Sequence, residues 1–522
     1  MTTGHALSRM LREGGARWGD RVAVVDPALG REVTYAGLDR LVDAASARLL
    51  GRVSAPGEVV AVLARNGLEQ AVAVLACSRA GLVHLGLPVD LAPDRLREVM
   101  AVAAPRLLLV QPDLRDTAGR AVTGLDPAPL LLDAGDELCS PGGAGSPPPP
   151  PVEVPGAEDP DRTYALICTS GSTGHAKLVR LTGTMTGTAA RTYGALLGLG
   201  PQDRTAVHLP MWWVSGHVTQ LASSLASGGA VVTMARWSPA ALLGSVVEHG
   251  VTWWDLVPTL WHGLLRQEGF DGERLPGLRA VVFGGSPASA EVLADVRRQV
   301  PGVLLLDAYA MSEVPAPITC LLDAEAALHP RSVGRAQPHG QLRVLRADGS
   351  PAQAGEQGAV AVLTPALTPG YVSADRLAVD DDGWFRTGDL GTLDDEGFLT
   401  ITGRAADALV RGGVTIHPAE VERAMVASGL VAAALVVALP SRLSGDAVAA
   451  VVVAAREGPP VGSVERRSVQ GQVDVAALRS AVRAAVGAHA VPVRVLVVAA
   501  LPRTGNDKPD RAAARALLDR AR

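Results

Sequence analysis

The chain has 522 residues, with 48 Lys or Arg against 53 Asp or Glu, so its formal net charge is −5. That length accommodates about three or four compact units, and the slight acidity leaves no bulk electrostatic drive toward nucleic acid. Hydrophobic residues make up 48% but aromatics only 3%, so the cores must be built from Ala, Val and Leu.

The longest apolar runs, such as Val431–Leu439, fall far short of the roughly 20 residues a bilayer span needs. Met1–Asp20 carries scattered Arg and Glu and no apolar stretch, so no membrane span and no signal peptide are expected, and the location is cytoplasmic. Cys77, Cys139, Cys168 and Cys320 are far apart in sequence. They form no CxxC metal knuckle and read as small buried hydrophobes in a reducing compartment.

In chain order, Val22–Val25, Val59–Ala64, Leu107–Val110 and Tyr164–Cys168 read as buried strands. Gly67–Ala80 has apolar residues at three and four spacing and reads as a helix between two of them. Further strands are expected at Gly229–Met234, Val251–Val257, Ala280–Gly284 and Val303–Asp307. This alternation argues for parallel sheets with helical crossovers. Cys139–Pro160 lacks periodicity and holds consecutive prolines from Pro147, an exposed extended connection. From Gln341 to Val362 short alternating strands with Asp348-Gly349 and Gly355-Glu356 turns predict a small β-rich unit. A domain boundary is expected at Thr402–Asp407. Beyond it come a helix over Pro418–Ala427, strands near Ala432–Ala438 and Val448–Val453, and a polar surface loop over Gly458–Val473. A helix over Val475–Val486 and a last helix from Pro509 complete the chain.

Chemistry concentrates in a few segments. Thr169-Ser170-Gly171-Ser172-Thr173-Gly174-His175-Ala176-Lys177 follows a buried strand directly. Its glycines let the backbone curl, and curled N–H groups, hydroxyls and an ammonium suit a polyphosphate. It is neither a Walker A loop nor a dinucleotide fingerprint. Trp384-Phe385-Arg386-Thr387-Gly388-Asp389-Leu390 is followed by Gly403-Arg404, Gly412-Gly413 and finally Leu501-Pro502-Arg503-Thr504-Gly505-Asn506-Asp507-Lys508. Six of the eight Trp residues fall between positions 212 and 261, a clustering expected to build a large hydrophobic pocket. His208 and His217 read as structural or surface residues. No G-x-S-x-G elbow is present, which disfavours a serine hydrolase.

These segments, in this order and over nearly the whole chain, resemble the adenylate-forming superfamily: acyl-CoA synthetases, aryl-CoA ligases, luciferases and the adenylation domains of nonribosomal peptide synthetases. The resemblance implies an α/β fold. A large N-terminal domain, residues 1–402, would hold two α/β/α subdomains and a small β-rich subdomain. A smaller mobile α+β domain, residues 403–522, would turn about a hinge at 403–407. It also implies two half-reactions. A carboxylate attacks the α-phosphate of ATP to give an acyl-adenylate and pyrophosphate, with Mg²⁺ as cofactor. A thiol, usually that of coenzyme A, then attacks the acyl carbon and expels AMP.

Residue by residue, the resemblance makes Thr169, Ser170, Gly171, Ser172, Thr173, Gly174 and Lys177 the phosphate loop. Gly284, Gly285 and Ser286 would line the adenine and acyl pocket. In Asp307-Ala308-Tyr309-Ala310-Met311-Ser312-Glu313, Tyr309 would stack on adenine, Ser312 contact the α-phosphate, and Glu313 hold the metal through hard carboxylate oxygen. Asp389 would accept hydrogen bonds from the ribose hydroxyls and Arg404 would contact ribose or phosphate. Lys508 would bridge the attacking carboxylate and the α-phosphate. Ala406 would sit at the hinge, and Gly412 and Gly413 would flank the pantetheine channel. Trp213 stands where many CoA ligases carry His, and with Val257, Gly285 and Met311 would wall the acyl pocket. A Trp cannot pair with a substrate ammonium, which argues for a hydrophobic acid and against an α-amino acid.

The chain also departs from the family pattern. Ala176-Lys177-Leu178 replaces Pro-Lys-Gly, Ala310 and Ser312 replace Gly and Thr, Ala406 replaces Asp or Lys, and Asp507 replaces the Gly before the closing Lys. The leading expectation is an acyl- or aryl-CoA ligase for a hydrophobic carboxylic acid. Two alternatives stay open. One is a specialist that thioesterifies a preformed acyl-adenylate supplied by a partner adenylating enzyme. The other is a ligase that loads a carrier protein's phosphopantetheine.

Overall fold

The structure is a computed structural model that describes the chain except residues 1–6, 141–150, 171–175, 266, 268–269, 271–274, 276, 286–289, 373–375, 412–413, 442–444, 456–472, 505–508 and 522. The chain forms two compact units. The first takes Met1–Leu342 and Val362–Phe385, the second Arg343–Ala361 and Arg386–Arg522.

Two sheets organise the first unit. A six-stranded sheet runs in the order Leu130–Asp133, Leu107–Val110, Val59–Leu63, Val83–Gly86, Thr163–Ser170, Ala176–Thr182. All its pairs are parallel except the last, an antiparallel hairpin. A nine-stranded sheet carries six neighbouring parallel strands, in the order Leu304–Met311, Ala280–Phe283, Trp253–Leu256, Arg204–Val207, Ala230–Thr233, Val22–Asp26. The expected strand–helix alternation is thus realised, because strands such as Leu107–Val110 are buried at every position and need helices on both faces. Helices end where the chain supplies caps. Thr182 Oγ1 accepts from Met185 N at the start of Gly183–Leu197, and Gly198 at φ +58° ends it in the left-handed region.

Three of the six clustered tryptophans, Trp253, Trp254 and Trp261, are core packing, while Trp213 is half-buried and Trp237 exposed. Trp253 is fully buried in the cluster that holds Ala280, Val282 and Ala308. Trp254 and Trp261 are fully buried in a separate cluster with Phe283 and Val296. The pocket expected from all six Trp is therefore corrected: alternation along Trp253–Leu256 sends neighbouring indoles to opposite faces of the sheet. Cys77, Cys139 and Cys320 are buried and Cys168 half-buried, all as free thiols. Burial raises the Cys168 thiol to about 11.

In the second unit, a four-stranded sheet of Gln341–Leu345, Gly358–Leu363, Phe385–Leu393 and Leu399–Arg404 matches the expected β-rich segment. A five-stranded sheet follows, built on the long hairpin Val431–Ser441/Gly445–Ala454. Helices Pro418–Ala427 and Val475–Ala485 supply its company, and Leu435, Val437, Val451 and Leu518 form a second small core. The last helix starts at Arg511, not Pro509. Asp510 caps it by accepting from Ala513 N at 2.9 Å, while Pro509 is held in a bridge with Arg503.

Candidate active site

The phosphate-loop segment is the tip of a hairpin. Thr169 pairs with Lys177 and Ser170 with Ala176. Gly171, Ser172, Thr173 and Gly174 lie outside the described residues. A second segment, 368–372, adds to the open side of this hairpin. Arg180 N donates to Gly370 O, Val372 N donates to Leu178 O, and Val179 bridges Tyr371. This addition brings Tyr371 under Lys177, whose Nζ stands 5.2 Å from the ring centroid. The Tyr371 hydroxyl donates to Glu313 Oε1 at 2.7 Å, and Thr368 N donates to Glu313 O. Lys177, Tyr371 and Glu313 are thus one connected group.

Glu313 owes its place to a tight turn. Strand Leu304–Met311 reverses into Val314–Leu322, with Met311 opposite Val314 and only Ser312 and Glu313 between them. Tyr309 and Met311 pack half-buried against the large core cluster, and Asp307 is buried. Ala310 takes no positive φ, since Ala104 is the sole non-glycine in that region among the described residues. Alanine therefore sits there without backbone strain.

The residues expected to wall the acyl pocket follow the carboxyl ends of the parallel strands, where open α/β sheets bind ligands. Gly284 N donates to Leu256 O, tying one strand end to the next. Gly285 adopts φ +75°, and a Cβ there would stand 3.4 Å from Val257 Cγ1, so Gly285 and Val257 are direct neighbours. Ser286 lies outside the described residues. The Leu209–Gly216 loop is clamped from the other sheet by Asn66. Its Nδ2 donates to Val207 O at 3.0 Å and Leu209 O at 2.9 Å, while its Oδ1 accepts from Met211 N at 2.9 Å. Gly216 allows the loop to close on the following π-helix Ser215–Ala222, because a Cβ would meet Leu209 O and Pro210 O at 2.3 Å. Trp213 sits half-buried on this loop. Asn66→Ala strands three buried backbone groups at about 1–3 kcal/mol each. The expected result is a raised KM for the acid, by about tenfold, with the KM for ATP little changed, read by pyrophosphate release.

His208 and His217 are buried rather than at the surface. Burial lowers both to about 4, so each is neutral near pH 7. His217 Nε2 shares a hydrogen bond with the Tyr164 hydroxyl at 3.0 Å, and Tyr164 in turn meets Thr186 Oγ1 at 2.7 Å. Asp255 is another buried titratable group here. It is 5% exposed, and burial alone pushes its carboxyl up to about 7. The folded form binds its proton more tightly than the unfolded chain does. Asp255 therefore contributes nothing unfavourable below about pH 4, and its stability is lost progressively as pH rises through about 7. The loss amounts to about 4 kcal/mol. Asp255→Asn is expected to overtake wild type in urea midpoint as pH rises from about 4 to 7, with the gap constant above. A pH-independent gap would show that Asp255 does not titrate in this window.

In the second unit, Asp389 is buried and Arg404 mostly exposed, and Arg404 Nε donates to Asp389 Oδ1 at 3.0 Å. Two residues expected at the nucleotide, Asp389 at the ribose and Arg404 at ribose or phosphate, thus contact each other. Register accounts for it: Asp389 is directly opposite Arg404 across the antiparallel pair. Ala406 is exposed in the short turn Ala405–Asp407. Arg511 holds that turn, donating to Asp407 Oδ2 at 3.1 Å and to Glu422 Oε1 at 2.6 Å. Gly412, Gly413 and Lys508 lie outside the described residues.

Three residues that sequence reasoning misses lie beside the expected site residues: Tyr371, Asn66 and Asp255. Tyr371 follows Pro369-Gly370 in an aperiodic stretch, and Asn66 is a lone polar residue between a strand and a helix. Asp255 carried the only usable signal, an acid inside an otherwise apolar strand, Trp253–Leu256.

Comparison with known proteins gives the family. Residues 11–372 match the AMP-binding enzyme family and residues 420–508 the AMP-binding enzyme C-terminal domain. A sulfoacetate–CoA ligase of Cupriavidus necator is 31% identical, with 97% of this chain and 96% of that protein covered. A salicyl-AMP ligase/salicyl-S-ArCP synthetase of Mycobacterium tuberculosis is also 31% identical, with 98% and 90% covered. The o-succinylbenzoate CoA synthetase of Bacillus subtilis, solved with its acyl-adenylate intermediate, superposes with a TM-score of 0.81 at 25% identity, covering 97% of each chain. The same enzyme has been solved with ATP and magnesium ion. Among the described residues no helix is long and apolar enough to cross a membrane. With two family matches in order and relatives aligned along nearly its full length, the chain belongs to the AMP-binding, adenylate-forming enzymes and is an AMP-forming acid–thiol ligase.

Proposed function

We propose that the protein is an acyl- or aryl-CoA ligase for a carboxylic acid with a hydrophobic body. It would activate the acid as its adenylate and pass the acyl group to the thiol of coenzyme A. The observation that carries this reading is the Lys177–Tyr371–Glu313 group, an ammonium and a carboxylate oriented by one phenol. Adenylation brings an anion to a polyanion, so it needs cationic neutralisation at the phosphates.

In this reading Lys177 and the hydroxyls of the hairpin tip bind the outer phosphates as pyrophosphate leaves. Glu313 suits Mg²⁺, because Tyr371 occupies one carboxylate oxygen and the other is left to a hard cation. When bound, the metal supplies charge neutralisation at the phosphates. Ser312, beside Glu313 in the turn, donates to the α-phosphate. Tyr309 offers its ring to adenine beside Gly284, Gly285, Ser286, Asp307 and Ala308. Asp389 and Arg404 exchange part of their mutual ion pair for the ribose. Lys508 bridges the acid and the α-phosphate. The domain from about residue 403 then turns near Ala406 and brings Gly412 and Gly413 to the pantetheine arm, so one site serves both half-reactions.

Trp213, Val257, Gly285 and Met311 form the acyl wall. Trp213→Ala is expected to shift kcat/KM among acids of different size by about tenfold while the KM for ATP holds. An unchanged acid preference with a raised KM for ATP would put Trp213 outside the pocket.

The 31% identical salicyl-S-ArCP synthetase supports a second reading for the acceptor, a carrier-protein phosphopantetheine. The test separates all of these. Purified protein receives a panel of hydrophobic acids with ATP and Mg²⁺, and pyrophosphate release is followed with CoA, with a phosphopantetheinylated carrier, and with neither. Synthetic acyl-adenylates are offered with CoA alone. Pyrophosphate with acyl-CoA is the expected result. Reaction only from preformed adenylates would make the chain a half-reaction specialist, dependent on a partner adenylating enzyme.

A further inference from the structure

In the second unit two arginines, far apart in sequence, each tie one of the expected chemical segments to the body of the domain. Arg511 opens the last helix, Arg511–Arg520, three residues after Lys508. Its Nε donates to Asp407 Oδ2 at 3.1 Å, and its Nη1 donates to Glu422 Oε1 and to Val436 O, both at 2.6 Å. Glu422 Oε1 also accepts from Val436 N at 2.8 Å. The turn Ala405–Asp407, helix Pro418–Ala427, strand Val431–Ser441 and the last helix therefore meet at one guanidinium. Beside it the neck of the loop that carries Lys508 closes: Asp510 N donates to Pro502 O at 2.9 Å, and Pro509 bridges Arg503.

Arg411 is the second anchor. It ends strand Leu409–Arg411 directly before Gly412, paired with Val414 on one side and Gly445 on the other. Its Nη1 donates to His489 O at 2.9 Å and to Val491 O at 3.2 Å. Among the described residues the two arginines share no hydrogen-bond partner.

The flanks of the turn show what Arg511 contributes. Upstream, Arg404 is fixed in the four-stranded sheet opposite Asp389 and bonded to it. Downstream, Asp407 is fixed by Arg511. Between them stand Ala405 and Ala406, whose methyl groups offer no polar anchor. Rotation at this segment is thereby confined to two residues, and the body that turns begins at Asp407, tied to the helix that follows Lys508. A planar guanidinium suits this task, because its fork serves two carboxylates and a carbonyl in one fixed geometry.

We infer that Arg511 and Arg411 are positioning residues, one for each half-reaction. Arg511 sets the lysine loop against the turn for adenylation, and Arg411 sets the strand end that leads into Gly412 and Gly413 for thioester formation. Neither touches a reacting atom. Misplacing a reacting group by about 1 Å costs on the order of 10²-fold in rate. Anchors without shared partners let one segment loosen while the other holds. The inference rests on the reading that gives this unit its two roles.

The test follows both half-reactions by single turnover on the full-length protein. Adenylation is read as pyrophosphate release from benzoate, cinnamate or decanoate, whichever is turned over fastest, with ATP and Mg²⁺. Thioester formation is read as benzoyl-CoA from synthetic benzoyl-adenylate and CoA. Arg511→Gln is expected to lower adenylation by about 30-fold and leave thioester formation within about threefold. Arg411→Gln is expected to lower thioester formation by about tenfold and leave adenylation within about threefold. Asp407→Ala cuts only the contact to the turn, keeps the other two, and is expected to move the ratio of the two rates in the direction of Arg511→Gln. It decides the matter if Arg511→Gln does not fold. Glu422→Gln keeps an accepting oxygen, and is expected to lower the melting temperature without moving that ratio. Equal loss of both rates in the arginine variants, or unchanged rates in Arg511→Gln and Asp407→Ala, overturns the inference. Lys508→Ala is the reference. If it spares adenylation, the two-role reading fails; if it abolishes adenylation while Arg511→Gln does not lower it, the role of Arg511 alone fails. If none of the three acids releases pyrophosphate, the role of Arg511 is withdrawn with the hydrophobic-acid reading, and benzoyl-adenylate with CoA decides Arg411.

Discussion

Replacing Lys508 with alanine is expected to lower pyrophosphate release by roughly 10³-fold while leaving thioester formation from supplied acyl-adenylate within a few-fold of wild type. The asymmetry is the informative part. In the first half-reaction negative charge accumulates on oxygens around phosphorus as one anion attacks another, and an ammonium in a water-poor site offsets it. In the second the mixed anhydride already exists. The developing charge is then on the acyl oxygen and the departing AMP, so a lysine withdrawn with its domain contributes little. Paired single-turnover assays measure both steps on one preparation. Equal loss of both would end the assignment of one domain to two alternating roles. Asp507 beside Lys508 makes a second comparison worthwhile, because Asp507→Gly removes an adjacent carboxylate and should raise adenylation if that carboxylate weakens the cationic field.

Glu313→Gln is expected to cut kcat for adenylation by roughly 10²-fold and to move the Mg²⁺ concentration for half-maximal rate upward. The amide keeps an oxygen to accept from Tyr371 but carries no charge for a hard cation. Tyr371→Phe is the graded partner of that experiment. It deletes the 2.7 Å hydrogen bond while keeping a ring beneath Lys177, so a fall of about tenfold is expected. An unchanged Mg²⁺ midpoint in Glu313→Gln would remove Glu313 from the metal's ligands.

The parts legible in the sequence were those with local causes. Continuous apolar runs such as Leu107–Val110 betray a strand covered on both faces. Pro418 at the first turn and the Ser428-Gly429 turn, with Gly429 at φ +73°, bound the helix Pro418–Ala427. What escaped was long-range. Tyr371 reaches Glu313 across 58 residues of sequence, and Asn66 holds Met211 across 145. No spacing rule encodes such pairs, because each partner's position is set by sheet register rather than by its neighbours. The tryptophans misled for a related reason. Aromatic side chains serve cores and pockets alike, and only the face of the strand decides which. Asp255 offers one local signal, an acid inside an otherwise apolar strand, but what it faces is set by the packing of distant segments.

The discontinuous first unit has a consequence for biosynthesis. Its chain leaves at Leu342 and returns at Val362–Phe385, and that return supplies Thr368, Gly370 and Tyr371 to the hairpin and to Glu313. A nascent polypeptide that has emerged only to Leu342 holds both large sheets yet cannot complete the grouping around Lys177. The ribosome must deliver a further stretch, to Val372, before that grouping can close. Any recombinant exchange of segments between relatives inherits the same rule: a crossover placed between Leu342 and Tyr371 separates Glu313 from the tyrosine that orients it.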